Sequence, residues 1–315
     1  MTDTPWAPDD DLRAAAALLS SADPARRAAG YDRLAARAAP GGDALRAWVA
    51  GTVLPRAGRE PDRSALSALV EVLAAAQDGR ALPVLLELAG HPAAQVRRAV
   101  ARALPFVGEP APGSPRVRAL LALSRDGDRD VRDAAVFGLG TLDEAYGPAV
   151  RAALRERLDD ADEQVAEEAV RGLAHRQDPA VLPRLIGLLE AHPDPHPLTL
   201  SAAAVLGRPE LLPVLAELAA ERPDDPRLAA ALAACDPDRR AERAALAWQL
   251  LEELSARRPD LDPALLWPRF STDLHLEVRP GPEPVRYDTD GLLHRAGGAP
   301  SRAAALVDTD FPPAA

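Results

Sequence analysis

Three groups of side chains have the types and spacing to do chemistry. Asp126, Asp128 and Asp130 alternate along DGDRD, the spacing at which a calcium loop presents its first carboxylates. Such a loop then needs glycine at its sixth position and a bidentate glutamate at its twelfth. Val131 and Phe137 stand there instead, so calcium chelation is excluded and helix capping is the role left to the aspartates. His192, Asp194 and His196 alternate in AHPDPHP, and two imidazoles with a carboxylate are zinc-ligating groups. Three prolines make that segment an extended loop, and the fourth ligand of a closed site is not supplied. Cys235 lies in AACDPDRR, where a neighbouring arginine would lower a thiol's pKa, but the alanines before it suit a small packed residue. No phosphate loop, nucleophile elbow or HExxH is present. The sequence therefore assigns no catalytic residue, no metal and no cofactor.

A binding surface is the chemistry that remains. Val96, Val131 and Val165 each open an apolar stripe with helical spacing. Residues two and six places beyond each valine fall opposite that stripe. They are Arg98 and Arg102, Asp133 and Phe137, then Glu167 and Arg171. Stacked, they make a ladder of mixed charge with one aromatic in the middle. A phenylalanine exposed among charges makes a binding anchor, because interface hot spots are enriched in aromatic and arginine side chains.

The elements that must position this ladder are read from Asp126–Leu142. Val131, Ala134, Ala135, Gly138 and Leu139 share one stripe, with Asp133 and Phe137 pointing away. The stripe is made mostly of small residues, so another helix comes close there. Asp130 stands at the expected N-cap. The same pattern recurs as Leu85, Val96 and Leu104, then Leu120, Val131 and Leu139, then Leu154, Val165 and Leu173. The internal gaps are 11 and 8 residues, and the units are offset by 35 and then 34. Self-similarity at this period is the signature of stacked helix pairs, each with one apolar face too many to bury alone. A fourth unit, with Leu185, Leu198 and Leu206, has an inner gap two residues longer. Earlier pairs are expected near Asp10–Ser20 with Pro24–Ala38, and Asp43–Leu54 with Asp62–Ala76. A longer helix, Asp236–Arg258, follows, with Trp248, Leu251 and Leu254 on one side. After Pro259 the helical period is lost. Leu274, Leu276 and Val278 alternate as a strand, and Pro284–Tyr287 returns as a second; Ala296–Ala315 is expected to be a loose tail with Phe311 as an anchor.

These units, DGDRDVRDAAVFGLG above all, resemble HEAT repeats, including the short HEAT-like repeats of phycobilin lyases. The Val-Arg pair that carries the likeness stands at Val96-Arg97 and Val131-Arg132 and is replaced at Val165-Ala166. The resemblance implies an all-α fold, a right-handed α-solenoid of about five to seven helix pairs over residues 1–258, with a hairpin-bearing irregular appendage over 259–315. It also implies that the second helices line a concave face, so the six ladder residues would meet a protein partner. Some HEAT-like proteins are enzymes. Deoxyhypusine hydroxylases use His-Glu pairs, and no histidine here precedes a glutamate. Alkylpurine DNA glycosylases use a basic groove with tryptophans and a carboxylate, and this is the alternative reading for a chain with Trp6, Trp48, Trp248 and Trp267. An immunity or regulatory protein that occludes one enzyme is a third.

Composition weighs on these alternatives. All 37 basic residues are arginine, and the net charge is −11. An acidic surface repels phosphate backbones and gives no reason to expect nucleic-acid or membrane binding. Aromatic residues are 3% of the chain, and alanine with leucine dominates, which suits packed helices. The single cysteine cannot form an internal disulfide, the acidic start MTDTPWAPDDDL lacks the form of a signal peptide, and no apolar run reaches the ~20 residues that span a bilayer. The expectation is a monomeric cytoplasmic scaffold with a protein partner.

Overall fold

Aspartate and proline set where the helices begin. Asp9, Asp23, Asp62, Asp128, Asp225 and Asp236 each accept a hydrogen bond from a first-turn amide of the next helix. Proline at the first helical position has no amide hydrogen to leave unpaired, and it occurs there at Pro24, Pro115, Pro148, Pro197, Pro226 and Pro237. The computed structural model describes residues 6–108, 111, 113–142, 147–266, 274–281 and 284–311. Trp267 lies outside them.

Among the described residues, seven helix pairs succeed one another: α1 (Asp10–Leu18) with α2 (Pro24–Ala38), α3 (Asp43–Val53) with α4 (Arg63–Ala76), α5 (Leu82–Leu88) with α6 (Ala94–Ala103), α7 (Pro115–Leu123) with α8 (Arg129–Phe137), α9 (Pro148–Glu156) with α10 (Glu163–His175), α11 (Leu182–Ala191) with α12 (Pro197–Leu206), and α13 (Leu212–Glu221) with α14 (Pro226–Cys235). A long helix, α15 (Pro237–Arg257), comes next. Then come β1 (Ala264–Leu266), β2 (His275–Val278), β3 (Val285–Asp288), α16 (Thr289–Arg295) and α17 (Pro300–Asp310). The fold is all-α and built from HEAT-like helix pairs, with a small sheet confined to the C-terminal appendage. The chain divides into two compact units, Met1–Gly172 and Leu173–Ala315.

In the first unit α2 packs on α4, α4 on α6 and α6 on α8, while α5 packs on α7 and α7 on α9. All nine residues of the 11-and-8 pattern are buried, eight in this unit and Leu173 as the first residue of the second. Gly138 permits close packing at the centre: a Cβ there would lie 3.1 Å from Pro105 Cγ and 3.4 Å from Leu120 Cδ2. Two details of this stretch differ from expectation. The N-cap of α8 is Asp128, not Asp130, because the Asp128 carboxylate accepts from the Asp130 and Val131 amides. The α-helix also ends at Phe137, and Gly138–Leu142 continues it as a π-helical turn.

A second ladder runs along the repeat joints. Arg27, Arg97 and Arg132 occupy the fourth position of α2, α6 and α8. Each donates through Nη1 to two carbonyls of the loop before its own helix: Ser21 and Ala22, His91 and Pro92, Asp126 and Gly127. Each also grips, through Nε and Nη2, a carboxylate in the next repeat's loop. The pairs are Arg27–Glu60 at 2.6–2.9 Å, Arg97–Asp126 at 2.7–2.8 Å and Arg132–Asp160 at 2.9–3.0 Å. The acid in turn accepts the amide two residues on, from Asp62, Asp128 or Asp162. The matching residue of α10 is Ala166, fully buried and unable to make this contact.

In the second unit α12 packs on α14 and α11 on α13. The fourth repeat departs from the expected register. Pro197 fixes the start of α12, which leaves Leu198 44% exposed and turns Thr199 and Leu200 inward. The strands form one antiparallel sheet in the order β1-β2-β3, with Leu265 opposite Leu276 and Leu276 opposite Tyr287. The expected hairpin is β2 with β3; β1 is an addition. Leu276 and Val278 join Leu250 and Leu254 of α15, Leu292 and Leu293 of α16, and Ala303, Ala304 and Val307 of α17 in one apolar core, against which Phe311 also packs. The stretch expected to be a loose tail is therefore largely the helix α17, which begins at Pro300 and packs on α15. Leu254 is buried as expected, but Trp248 is 56% exposed.

Candidate interaction face

The six residues of the predicted ladder lie on α6, α8 and α10, within the first unit; Glu167 is partly exposed on α10, and the other five fall into three settings. Arg98 and Arg102 stand one turn apart on α6 and are exposed, with 50% and 58% of their side chains open. Their acidic neighbours stand at the outer limit of an ion pair: Asp130 lies 3.9 Å from Arg98, and Glu71 4.0 Å from Arg102. The joint arginines hold carboxylates at hydrogen-bonding distance, so by contrast these two use little of their donor capacity inside the molecule. They border a groove of about 350 Å³ between α4 and α6, lined by Ser67, Glu71, Gln95, Arg98, Ala99 and Arg102.

Phe137 is partly buried, not exposed. The Arg171 guanidinium lies over its ring at 5.6 Å from the centroid, a cation–π arrangement that covers one face. Arg171 also donates to Glu168 at 2.8 Å. Two ladder residues thus meet across α8 and α10, which sequence spacing alone could not show.

Asp133 and Glu168 form the acidic end. Burial, and then the charges of Asp162 and Asp130, raise the Asp133 carboxyl above its ordinary range. The Glu168 side chain is 13% exposed, and burial pushes its carboxyl up to about 7. Arg171 opposes that rise, while Asp133 and Glu167 add to it. One oxygen of each, Asp133 Oδ1 and Glu168 Oε2, is buried without a hydrogen-bond partner. Sequence reasoning missed Glu168 because it looked two and six places beyond each valine. It missed Ser67 and Glu71 for another reason: they hold the same positions on α4, but Ala65 stands where the valine would be.

The raised carboxyl gives a pH signature. In the unfolded chain Glu168 ionises in the ordinary glutamate range, and in the folded chain near 7. Between those values the folded state binds more protons, so stability falls as the pH rises through that window and levels off above it. Glu168→Gln is expected to stabilise the protein at pH 8 by about 1–3 kcal/mol and to have little effect at pH 4. Urea melts at both values check this.

The other chemical candidates have structural roles. His196 caps α12, its Nδ1 accepting from the Leu198 amide at 3.3 Å, and Asp194 pairs with Arg222 at 2.7 Å. Burial pushes the Cys235 thiol up to about 11, and its Sγ donates to the Ala203 carbonyl. Trp48 lies on α3, a first helix, against Trp6 at 6.1 Å between ring centroids.

The family of HEAT repeats matches at residues 52–140, 117–204 and 151–236, together more than half of the chain. The chain belongs to the HEAT-repeat family. The YibA protein of Escherichia coli, known from an X-ray structure, is 24% identical with a TM-score of 0.56; the likeness covers 72% of this chain and 81% of YibA. The complex of CpcE and CpcF of phycocyanin lyase from Nostoc sp. is 16% identical with a TM-score of 0.46, over 75% of this chain and 98% of that one. A designed armadillo repeat protein in complex with a (KR)4 peptide is 15% identical with a TM-score of 0.40, over 72% of this chain and all of the design. No curated protein sequence matches the chain. Among the described residues, no helix is long and apolar enough to cross a membrane.

Proposed function

We propose that this HEAT-repeat protein is a non-catalytic scaffold or adaptor, monomeric in the cytoplasm, that binds a protein partner on the side of the second helices, the concave side in HEAT arrays. Residues 1–258 serve as the array, and 259–315 serve as an appendage that covers α15. The observation that carries the reading is the contrast between the two ladders. Arginines at the repeat joints are fully engaged at hydrogen-bonding distance, whereas Arg98 and Arg102 on the second-helix face are exposed and only loosely paired. Charge that stabilises the array is consumed at the joints. Charge on the face is left for something else.

The test is Phe137→Ala. A half-buried aromatic beside arginine and carboxylates has the composition of an interface anchor, and truncating one costs ~2 kcal/mol or more of binding. The variant is expected to melt within about 1 kcal/mol of the native chain, because its ring is only partly covered, and to bind the partner about 30-fold more weakly. A variant that loses stability and binding in parallel would make Phe137 a packing residue and remove it from the surface.

A further inference from the structure

The second-helix face carries its charges in an order. The α6 step presents two cations with little internal pairing, Arg98 and Arg102. The next steps, α8 and α10, present Asp133, Glu167 and Glu168, and the cation beside them, Arg171, already donates to Glu168. The groove at one end is lined by two arginines against one glutamate, and the steps beyond it carry three acids against one arginine. From this order we infer that the face takes an extended peptide segment of a protein partner, bearing a carboxylate for Arg98 and Arg102 and a cationic side chain a few residues away for Asp133 and Glu168. The inference rests on the reading of this face as the binding surface.

Spacing sets the rest of the motif. Neighbouring packed helices lie roughly 8–10 Å apart, and an extended chain advances about 3.3 Å per residue. One helix step therefore corresponds to about three residues of the peptide, and two steps to about six. The carboxylate enters the groove between α4 and α6, where it replaces the 3.9 and 4.0 Å contacts of Asp130 and Glu71 with direct guanidinium hydrogen bonds. The cation is drawn to this end by the crowded like charges of Asp133, Glu167 and Glu168. A peptide of one sign satisfies one end and is repelled by the other, so the pattern selects by exclusion as well as by attraction.

Three labelled decapeptides in a serine–alanine background test this by fluorescence anisotropy with the full chain. One has a glutamate followed three and six residues later by arginines; in the others all three positions are glutamate or all are arginine. The mixed peptide is expected to bind about tenfold more tightly than either single-sign peptide, the effect of one favourable charge pair exchanged for a repulsive one. In Arg98→Glu/Arg102→Glu the face becomes uniformly acidic, and the all-arginine peptide is expected to bind best. Arg98→Gln/Arg102→Gln is a milder variant, expected to erase the advantage of the mixed peptide over the all-arginine one. An unchanged rank order in these variants, or equal binding of all three peptides by the native chain, overturns the inference. If binding is indifferent to charge order but lost in Phe137→Ala, the inference fails while the face stands as a binding surface.

Discussion

Arg132→Ala is expected to lower the stability of the array by about 3 kcal/mol, the low end of the cost of removing one partner from a buried ion pair. Arg132 has four hydrogen bonds at the joint, two to the Asp126 and Gly127 carbonyls and two to Asp160. The Asp160 side chain is 3% exposed, so deleting the arginine leaves a carboxylate in a poorly solvated place. Arg157 at 3.2 Å gives it partial relief, which keeps the cost from the upper end. The double variant Arg132→Ala/Asp160→Ala is expected to cost less than the two single changes summed, because it removes the stranded charge as well. Urea melts of the three variants measure this coupling. The pH dependence has a definite sign. Burial works to raise the Asp160 carboxyl, but the Arg132 hydrogen bonds and the Asp162 amide outweigh it and hold it below the ordinary aspartate value. The stability it contributes is therefore present above that ordinary value and is lost as the pH falls through the lower folded one. Acid unfolding is expected to be less steep in the double variant.

Leu139→Ala is expected to cost about 2–5 kcal/mol, the range for truncating a fully buried leucine. Leu139 is 1% exposed, and it comes directly after Gly138, where Pro105 and Leu120 lie within contact of the missing Cβ. Helices packed that closely cannot collapse further to refill a leucine-sized void, which pushes the cost toward the upper half of the range. The same substitution at Leu198, 44% exposed on α12, is expected to change stability by less than about 0.5 kcal/mol. The two leucines both belong to the repeat pattern as spacing defines it, so thermal or urea melts of the pair compare the observed register with the one that spacing alone suggests.

Those two leucines also mark how far the sequence could be read. Burial in a stacked helix pair repeats with the helix, so the 11-and-8 spacing located Leu85, Val96 and Leu104 and their equivalents with no other information. It failed at Leu198, where a longer loop moved the helix start and Pro197, not the leucine pattern, set the rotation of α12. The appendage was partly legible for a different reason. β2 alternates Leu276, Glu277 and Val278, a pattern a reader can find, whereas β1 is three residues long and α16 seven, too short to show a period. α17 buries Ala303, Ala304 and Val307, whose small side chains give little contrast with the alanines around them. Its start at Pro300 carried the same signal as the other proline-led helices. On the interaction face, helical spacing put Arg98, Arg102, Asp133, Phe137, Glu167 and Arg171 on one side. It could not show that Arg171 lies over Phe137 or that Glu168 is a largely buried acid with a raised carboxyl, because both depend on how α8 meets α10.

The second-helix face, and not the first-helix side, is the surface proposed to meet the partner, and site-specific photo-crosslinking tests this most directly. A benzophenone side chain is placed at Arg102 on α6 or Glu167 on α10, and in a control at Arg118 on α7, an exposed residue of a first helix. The Arg102 and Glu167 positions are expected to crosslink to the same protein partner, with both adducts reduced by Phe137→Ala, and the Arg118 position is expected to give none. Equal crosslinking from the Arg118 position, or adducts from Arg102 and Glu167 that survive Phe137→Ala undiminished, would contradict it.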